Sequence, residues 1–124
     1  MSILIIEDDE ELAAEIVEYL QRRGRAASAH RSYAAAEKAL MEAIASNSLP
    51  RAILCDIVLP DGNGIDLFQA FAARMPATRW ILASGDNDPA ALAGVMKIAG
   101  VSPPVLVEKP IPLSDLDALV GGQD

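Results

Sequence analysis

The stretch AILCDIVLPDGNG, residues 52–64, decides the fold. Its opening, Ala52 to Cys55, is a short continuous apolar run, the pattern of a strand buried on both faces of a parallel sheet. The run ends in a carboxylate, Asp56, and gives way to a loop built around Leu59-Pro60-Asp61-Gly62-Asn63-Gly64. The same grammar recurs along the chain. Ser2 to Ile6 is a comparable run closed by Glu7-Asp8-Asp9, Trp80 to Ala83 runs into Ser84-Gly85-Asp86, and Val105 to Glu108 runs into Lys109-Pro110. Pro103-Pro104 at the entrance of that last run suits an edge strand, because proline cannot donate to a central ladder. A weaker strand is predicted over Arg25 to Ala29.

Helical periodicity fills the intervals. From about Asp9 to Arg23, Leu12, Ile16, Tyr19 and Leu20 share a face, and Gly24 is the stop signal. Ser32 is placed to cap a second helix with Tyr33, Ala36, Leu40, Ala43 and Ile44 on one side, ending at Ser46-Asn47-Ser48. A third is predicted over about Ile65 to Met75, with Leu67, Phe68, Phe71 and Met75 inward. A fourth opens at Pro89 and passes Leu92, Val95, Met96 and Ala99 before Gly100, and Ser114 caps a short final helix. Strands alternating with helices in this way imply an α/β fold, an open parallel five-stranded sheet with helices on both faces and right-handed crossovers. The functional crevice of such sheets lies outside the carboxyl ends of the strands, so Glu7, Asp8, Asp56, Ser84 and Lys109 are expected on one rim.

Composition narrows the function classes. With 124 residues, 52% hydrophobic, 23% charged and 4% aromatic, the chain fits one soluble globular domain, and eight glycines and eight prolines are too few for a disordered chain. Its 22 alanines let helices lie close to a sheet while contributing little area each. The formal net charge of -8 disfavours direct binding to nucleic acid or anionic lipid. No apolar run approaches the roughly 18 residues of a membrane span, and the start of the chain lacks the basic and apolar regions of a signal peptide. A cytoplasmic location is therefore expected. The single cysteine, Cys55, has no partner for a disulfide or a cysteine zinc site and reads as packing.

Carboxylates gathered on one rim repel one another unless a cation lies between them, and an oxygen-only donor set suits magnesium rather than zinc. One such carboxylate could attack a phosphorus centre while a lysine ammonium and a serine hydroxyl meet the oxygens of the transferring group. Taken singly, the residues have plainer readings. Glu7, Asp8 and Asp9 could be acids at a helix start, Asp56 a loop cap, Lys109 a surface lysine and Ser84 a turn serine. His30 reads as a surface or strand-edge residue, Tyr33 and Trp80 as packing, and Asp61, Asp86 and Asp88 as turn and cap acids that add to the negative field. Neither a GxxxxGK loop nor GxGxxG follows the first strand.

With these elements in register, the sequence resembles a response-regulator receiver domain of two-component signalling from Ile3 to about Val120. The resemblance implies a single domain with the flavodoxin-like (βα)5 sheet and strand order 2-1-3-4-5. It implies that Asp56 accepts a phosphoryl group, that Asp8 is a direct magnesium ligand, that Glu7 acts through water, and that the Val58 backbone carbonyl is the third protein ligand. Ser84 would be the switch hydroxyl and Lys109 the partner cation, followed by a cis Lys109-Pro110 bond. Pro60 and Gly64 stand four and eight residues after Asp56, where the family's loop also places proline and glycine. Mg²⁺ is the implied cofactor, with Mn²⁺ as a substitute. The donor would be a phosphohistidine of a sensor histidine kinase or histidine phosphotransfer protein. Output would pass to a downstream protein through a changed binding surface, and the only chemistry catalysed would be the domain's own phosphorylation and dephosphorylation.

The sequence departs from the family in places. Leu106 stands three residues before the lysine, where Tyr, Phe or His is usual, so coupling from Ser84 by an inward-swinging ring is in question. The last helix, residues 114–120, is short. Val58 and Asp86 occupy positions that tune loss of the phosphoryl group in the family. Leu106 and the short last helix motivate an alternative, a phosphorylation-independent protein-interaction module. A magnesium-dependent phosphohydrolase with an aspartyl nucleophile would normally carry a second acid two residues after it, where this chain has Val58.

Overall fold

The computed structural model describes residues 2–85 and 100–121. Unbroken burial of β1 (Ile3–Ile6) and β3 (Ala52–Asp56) makes them interior strands, as their lack of polar alternation requires. With β2 (Ala27–His30), β6 (Arg79–Ser84) and β7 (Val105–Glu108) they form one sheet in the order β2-β1-β3-β6-β7, and every neighbouring pair is parallel. Taken in chain order, the five strands of this sheet run 2-1-3-4-5, as expected. The edge strands β2 and β7 are only half-buried, and Pro103-Pro104 stand just outside β7.

Strand pleating sends alternate side chains to opposite faces. On one face Leu4, Ile6, Ile53, Cys55 and Leu82 pack under α2 (Tyr33–Ala45) and α3 (Gly64–Phe71), where Phe68 meets Trp80 edge to face at 5.4 Å. On the other, Ile3, Ile5, Leu54 and Ile81 pack under Ile16 and Leu20 of α1 (Glu10–Arg22) and Leu116 of the short α4 (Leu116–Leu119). Asp9 starts α1 by accepting a hydrogen bond from the Leu12 N–H at 3.1 Å. Gly24, at φ +82°, ends it, with Gly24 N–H donating to Gln21 and Arg25 N–H to Leu20. That bond keeps Arg25 in the helix terminator, so β2 starts at Ala27 rather than at Arg25.

Other boundaries also differ from expectation. The segment read as a plain loop holds a small antiparallel hairpin, β4 (Val58–Leu59) with β5 (Gly62–Asn63), turned at Pro60-Asp61. The third helix stops at Phe71 and tightens into a 3-10 turn, Ala72–Arg74, which still delivers Met75 to the core. Ser114 lies inside a 3-10 turn, Leu113–Asp115, and caps nothing. The expected fourth helix from Pro89, together with Asp86 and Asp88, lies outside the described residues.

Arginines secure α4. Arg23 and Arg25 both pair with Asp117, and Arg79, at the amino end of β6, donates to the Leu119 carbonyl at 2.6 Å. Arg51, just before β3, donates to the Val120 and Gly121 carbonyls. These guanidinia satisfy acceptors that a helix end leaves open. Among the described residues, no helix is long and apolar enough to cross a membrane.

Candidate functional site

The carboxyl ends of β1, β3, β6 and β7 meet at one rim. Glu7 and Asp8 follow β1, Asp56 closes β3, Ser84 closes β6 and Lys109 follows β7. Lys109 is held there through its backbone, its N–H donating to the Ser84 carbonyl at 2.9 Å, and the Lys109-Pro110 bond is cis. Its Nζ lies 2.9 Å from Glu7 Oε1 and 3.1 Å from Asp56 Oδ2. Glu7 Oε2 also accepts from the Asp9 N–H at 3.1 Å, and Asp56 Oδ1 from the Val58 N–H at 3.3 Å.

Burial makes these contacts matter. Glu7 is 5% exposed and Asp56 8%, so both carboxylates have left most of their water. Burial pushes the Glu7 carboxyl above its ordinary range, against the lowering pull of its hydrogen bonds to Lys109 and Asp9. For Lys109, burial pulls the other way, but the hydrogen bonds and charges of Glu7 and Asp56 outweigh it and hold the ammonium above its usual value. The result is a fixed cation beside two nearly buried anions. Beneath it, a cavity of about 140 Å³ is bounded by Ile5, Leu12, Ile16, Leu54, Ala83 and Ile111.

Glu7, Asp8 and Asp56 bring carboxylate oxygens within 4.8 Å of one another. Asp8 is exposed, so the cluster opens to solvent on its side. An all-oxygen set of negative donors fits a hard divalent cation such as Mg²⁺. Val58, two residues past Asp56, begins β4 with its side chain turned outward, 67% exposed. Ser84 is buried at the rim, and Leu106 is half-buried against the core on the α2 and α3 side. His30, at the end of edge strand β2, has Ser28 Oγ 3.2 Å from its Nε2. Tyr33 is half-buried, and Cys55 is fully buried.

Two features of the site were not read from sequence. Gly64 touches the backbone at the end of β3 so closely that an added Cβ would sit 2.6 Å from the Asp56 carbonyl oxygen and 3.0 Å from Cys55 Sγ. Its N–H donates to the Ile57 carbonyl at 2.8 Å, closing the loop at its base. Asp61 receives the Tyr33 and Ala34 N–H groups at the start of α2. The glycine was visible in sequence as part of a turn, whereas the partners of Asp61 lie 27 and 28 residues away and left no local signal.

Comparison with known proteins gives a consistent answer. A family model described as the response regulator receiver domain matches residues 3–120. Among curated proteins, the photosynthetic apparatus regulatory protein RegA of Cereibacter sphaeroides is 28% identical over 97 residues, which cover 78% of this chain and 50% of that protein. RegA of Rhodobacter capsulatus is 24% identical over 115 residues, 93% of this chain and 58% of that protein. The chain thus spans about half the length of the curated relatives it matches. Among solved structures, a response regulator receiver domain protein from Clostridium thermocellum superposes with a TM-score of 0.80 at 21% identity, covering 98% of this chain and 91% of that one. A CheY-like receiver domain from Methylobacillus flagellatus gives 0.75 at 25% identity, covering 100% and 98%. A response regulator from Burkholderia pseudomallei, solved with a phosphorylated aspartic acid and a calcium ion, gives 0.76 at 24%, covering 96% and 65%.

Proposed function

The chain belongs to the response regulator receiver domain family of two-component signalling, and from that premise we propose that it accepts a phosphoryl group on Asp56 from a phosphohistidine donor. The observation that carries the reading is the placement of Lys109 Nζ within 3.1 Å of Asp56 and 2.9 Å of Glu7, in a rim of oxygen donors at the carboxyl ends of the strands. The donor would be a sensor histidine kinase or a histidine phosphotransfer protein, and the working unit a single domain of about residues 3–120 in the cytoplasm.

An Asp56 carboxylate oxygen attacks phosphorus as the phosphorus–nitrogen bond to the donor imidazole breaks, and the imidazole nitrogen keeps the electron pair. Lys109, already paired with Asp56 Oδ2, is within reach of the incoming phosphoryl oxygens. Its ammonium meets the added charge, roughly -1.5 to -2. Asp8, Asp56, the Val58 carbonyl and, through water, Glu7 would hold Mg²⁺ or Mn²⁺. That cation, when bound, supplies a further positive charge for the phosphoryl oxygens. Ser84, buried on the neighbouring strand end, would turn its hydroxyl to the phosphoryl group, and its movement would alter the surface read by a downstream protein.

The test is intact-protein mass after incubation with acetyl phosphate, with and without Mg²⁺, for wild type and Asp56→Asn. The expected outcome is a magnesium-dependent gain of one phosphoryl group, absent from Asp56→Asn. No gain in a wild-type protein that binds Mg²⁺ would favour a second reading, a phosphorylation-independent interaction module. Leu106, packed against the core at the position of the family's aromatic switch, is the observation on that side.

A further inference from the structure

The start of α2 is satisfied in an unusual way. Of its first four backbone N–H groups, Ala36 makes the first ordinary helix bond, to the Ser32 carbonyl at 3.0 Å, and Ala35 donates to Ser32 Oγ at 3.1 Å. The other two leave the helix altogether. Tyr33 N–H donates to Asp61 Oδ1 at 2.7 Å and Ala34 N–H to Asp61 Oδ2 at 3.0 Å. Asp61 therefore spends both carboxylate oxygens on a helix 27 and 28 residues upstream, at the end where a negative charge is favoured. These hydrogen bonds hold its carboxyl below the usual carboxylate range.

Asp61 sits at the tip of the β4–β5 hairpin, and that hairpin starts at Val58. The base of the loop is fixed by Ile57 N–H on the Ala83 carbonyl at 2.9 Å and Gly64 N–H on the Ile57 carbonyl at 2.8 Å. Among the described residues, the tip has no such backbone anchor to the central sheet. What fixes it is Asp61 on the start of α2, with Gly62 lying so close under the Tyr33 ring that an added Cβ would be 2.8 Å from Tyr33 Cδ2.

We propose that Asp61 is a positioning residue of the acceptor site: by latching the hairpin tip to α2, it steadies the hairpin whose first residue, Val58, would offer its carbonyl to a cation on the acidic cluster. The inference rests on the reading above in one respect, that the Val58 carbonyl is a cation ligand. It adds α2 to the elements that set cation affinity, although α2 contributes no ligand.

The test compares Asp61→Ala, Asp61→Asn and Ser32→Ala by Mg²⁺ titration and by the rate of phosphoryl uptake from acetyl phosphate. Asp61→Ala should raise the Mg²⁺ Kd on the order of tenfold, the size typical of losing a group that orients a ligand. Uptake should slow at subsaturating Mg²⁺ and recover when Mg²⁺ is saturating. Asp61→Asn removes the charge but keeps one acceptor oxygen, so partial recovery of affinity separates positioning from simple loss of a nearby negative charge. Ser32→Ala weakens the same helix start without touching the hairpin, and its Kd should stay within about twofold of wild type, since only a local cap is lost. Unchanged Mg²⁺ affinity in Asp61→Ala, an Asn variant no better than Ala, or an equal loss in Ser32→Ala would overturn the proposal, as would a wild type that binds no Mg²⁺. A wild type that binds Mg²⁺ but gains no phosphoryl group, with the expected order of affinities across the variants, would overturn the proposed function and leave the latch standing.

Discussion

Replacing Lys109 by methionine keeps the stem and removes the charge, so Lys109→Met leaves Glu7 and Asp56 facing each other with no cation between them. In the native site the ammonium is 2.9 Å from one carboxylate and 3.1 Å from the other. At an effective dielectric constant of about 20, each contact corresponds to roughly 5 kcal/mol of Coulomb attraction before desolvation is charged against it. The lysine side chain is 25% exposed, and water recovers part of the difference, so the expected net loss of stability is about 2–4 kcal/mol near pH 8 in the presence of a chelator. The loss should depend on pH with a definite sign. The Glu7 carboxyl is already raised by burial, and without the lysine hydrogen bond that lowers it, its folded-state value rises further above that of the unfolded chain. A carboxyl raised on folding favours the folded state while it is protonated, and that stability is lost as pH climbs through the folded-state value. The variant should therefore stand close to wild type at about pH 4.5 and fall away from it toward about pH 8. Urea unfolding followed by the fluorescence of Trp80, the one tryptophan and a buried one, reads this directly. An equal loss at both pH values would refute the electrostatic account and leave lost packing as the cause.

Gly64→Ala should cost about 2–3 kcal/mol, since its Cβ has no room against the Asp56 carbonyl 2.6 Å away; a urea midpoint equal to wild type would show that the loop yields freely. Asp8→Ala should weaken Mg²⁺ binding by about tenfold or more while changing stability little, because the residue is an exposed member of the acidic cluster; titration and the urea midpoint together check both halves. Cys55 is fully buried and its thiol is pushed up by burial, with Asp56 and Glu7 adding to the shift, so alkylation by iodoacetamide should proceed only as fast as the protein opens and should accelerate in step with urea unfolding.

The sheet was legible because its interior strands carry no competing signal. Ile3 to Ile6 and Ala52 to Cys55 are apolar at every position, and the acids that end them are where the strands end. The rim of Glu7, Asp8, Asp56, Ser84 and Lys109 followed from those ends, which is why residues so far apart in sequence group together in the sequence pattern. What was missed has a common cause. Periodicity carries Phe71 and Met75 inward whether the intervening turn is α or 3-10, so the early end of α3 left no trace. The hairpin strands are two residues each, too short to register as alternation, and Pro60-Asp61 reads the same way in a plain loop. Ser114 looks like a cap until the 3-10 turn around it is known. Asp61 is the sharpest case, because nothing local to a turn aspartate reveals that it holds two N–H groups at the start of another helix.

The arginine attachments of α4 give the two ends of the sheet different kinds of resilience. At the carboxyl ends, charges are close-set among buried groups, where dissolved ions screen them poorly. At the amino ends, Arg23, Arg25, Arg51 and Arg79 fasten a four-residue helix, and of the two Asp117 pairs the one to Arg23, whose side chain is 52% exposed, is the more open to competition from ions. Ionic strength thus acts more on the amino end than on the carboxyl end. Leu116 and Val120 belong to the same buried cluster as Ile5 and Leu54, and those two side chains also border the cavity beneath Lys109. The helix those arginines fasten therefore covers the same apolar layer that lies beneath Lys109 and Asp56.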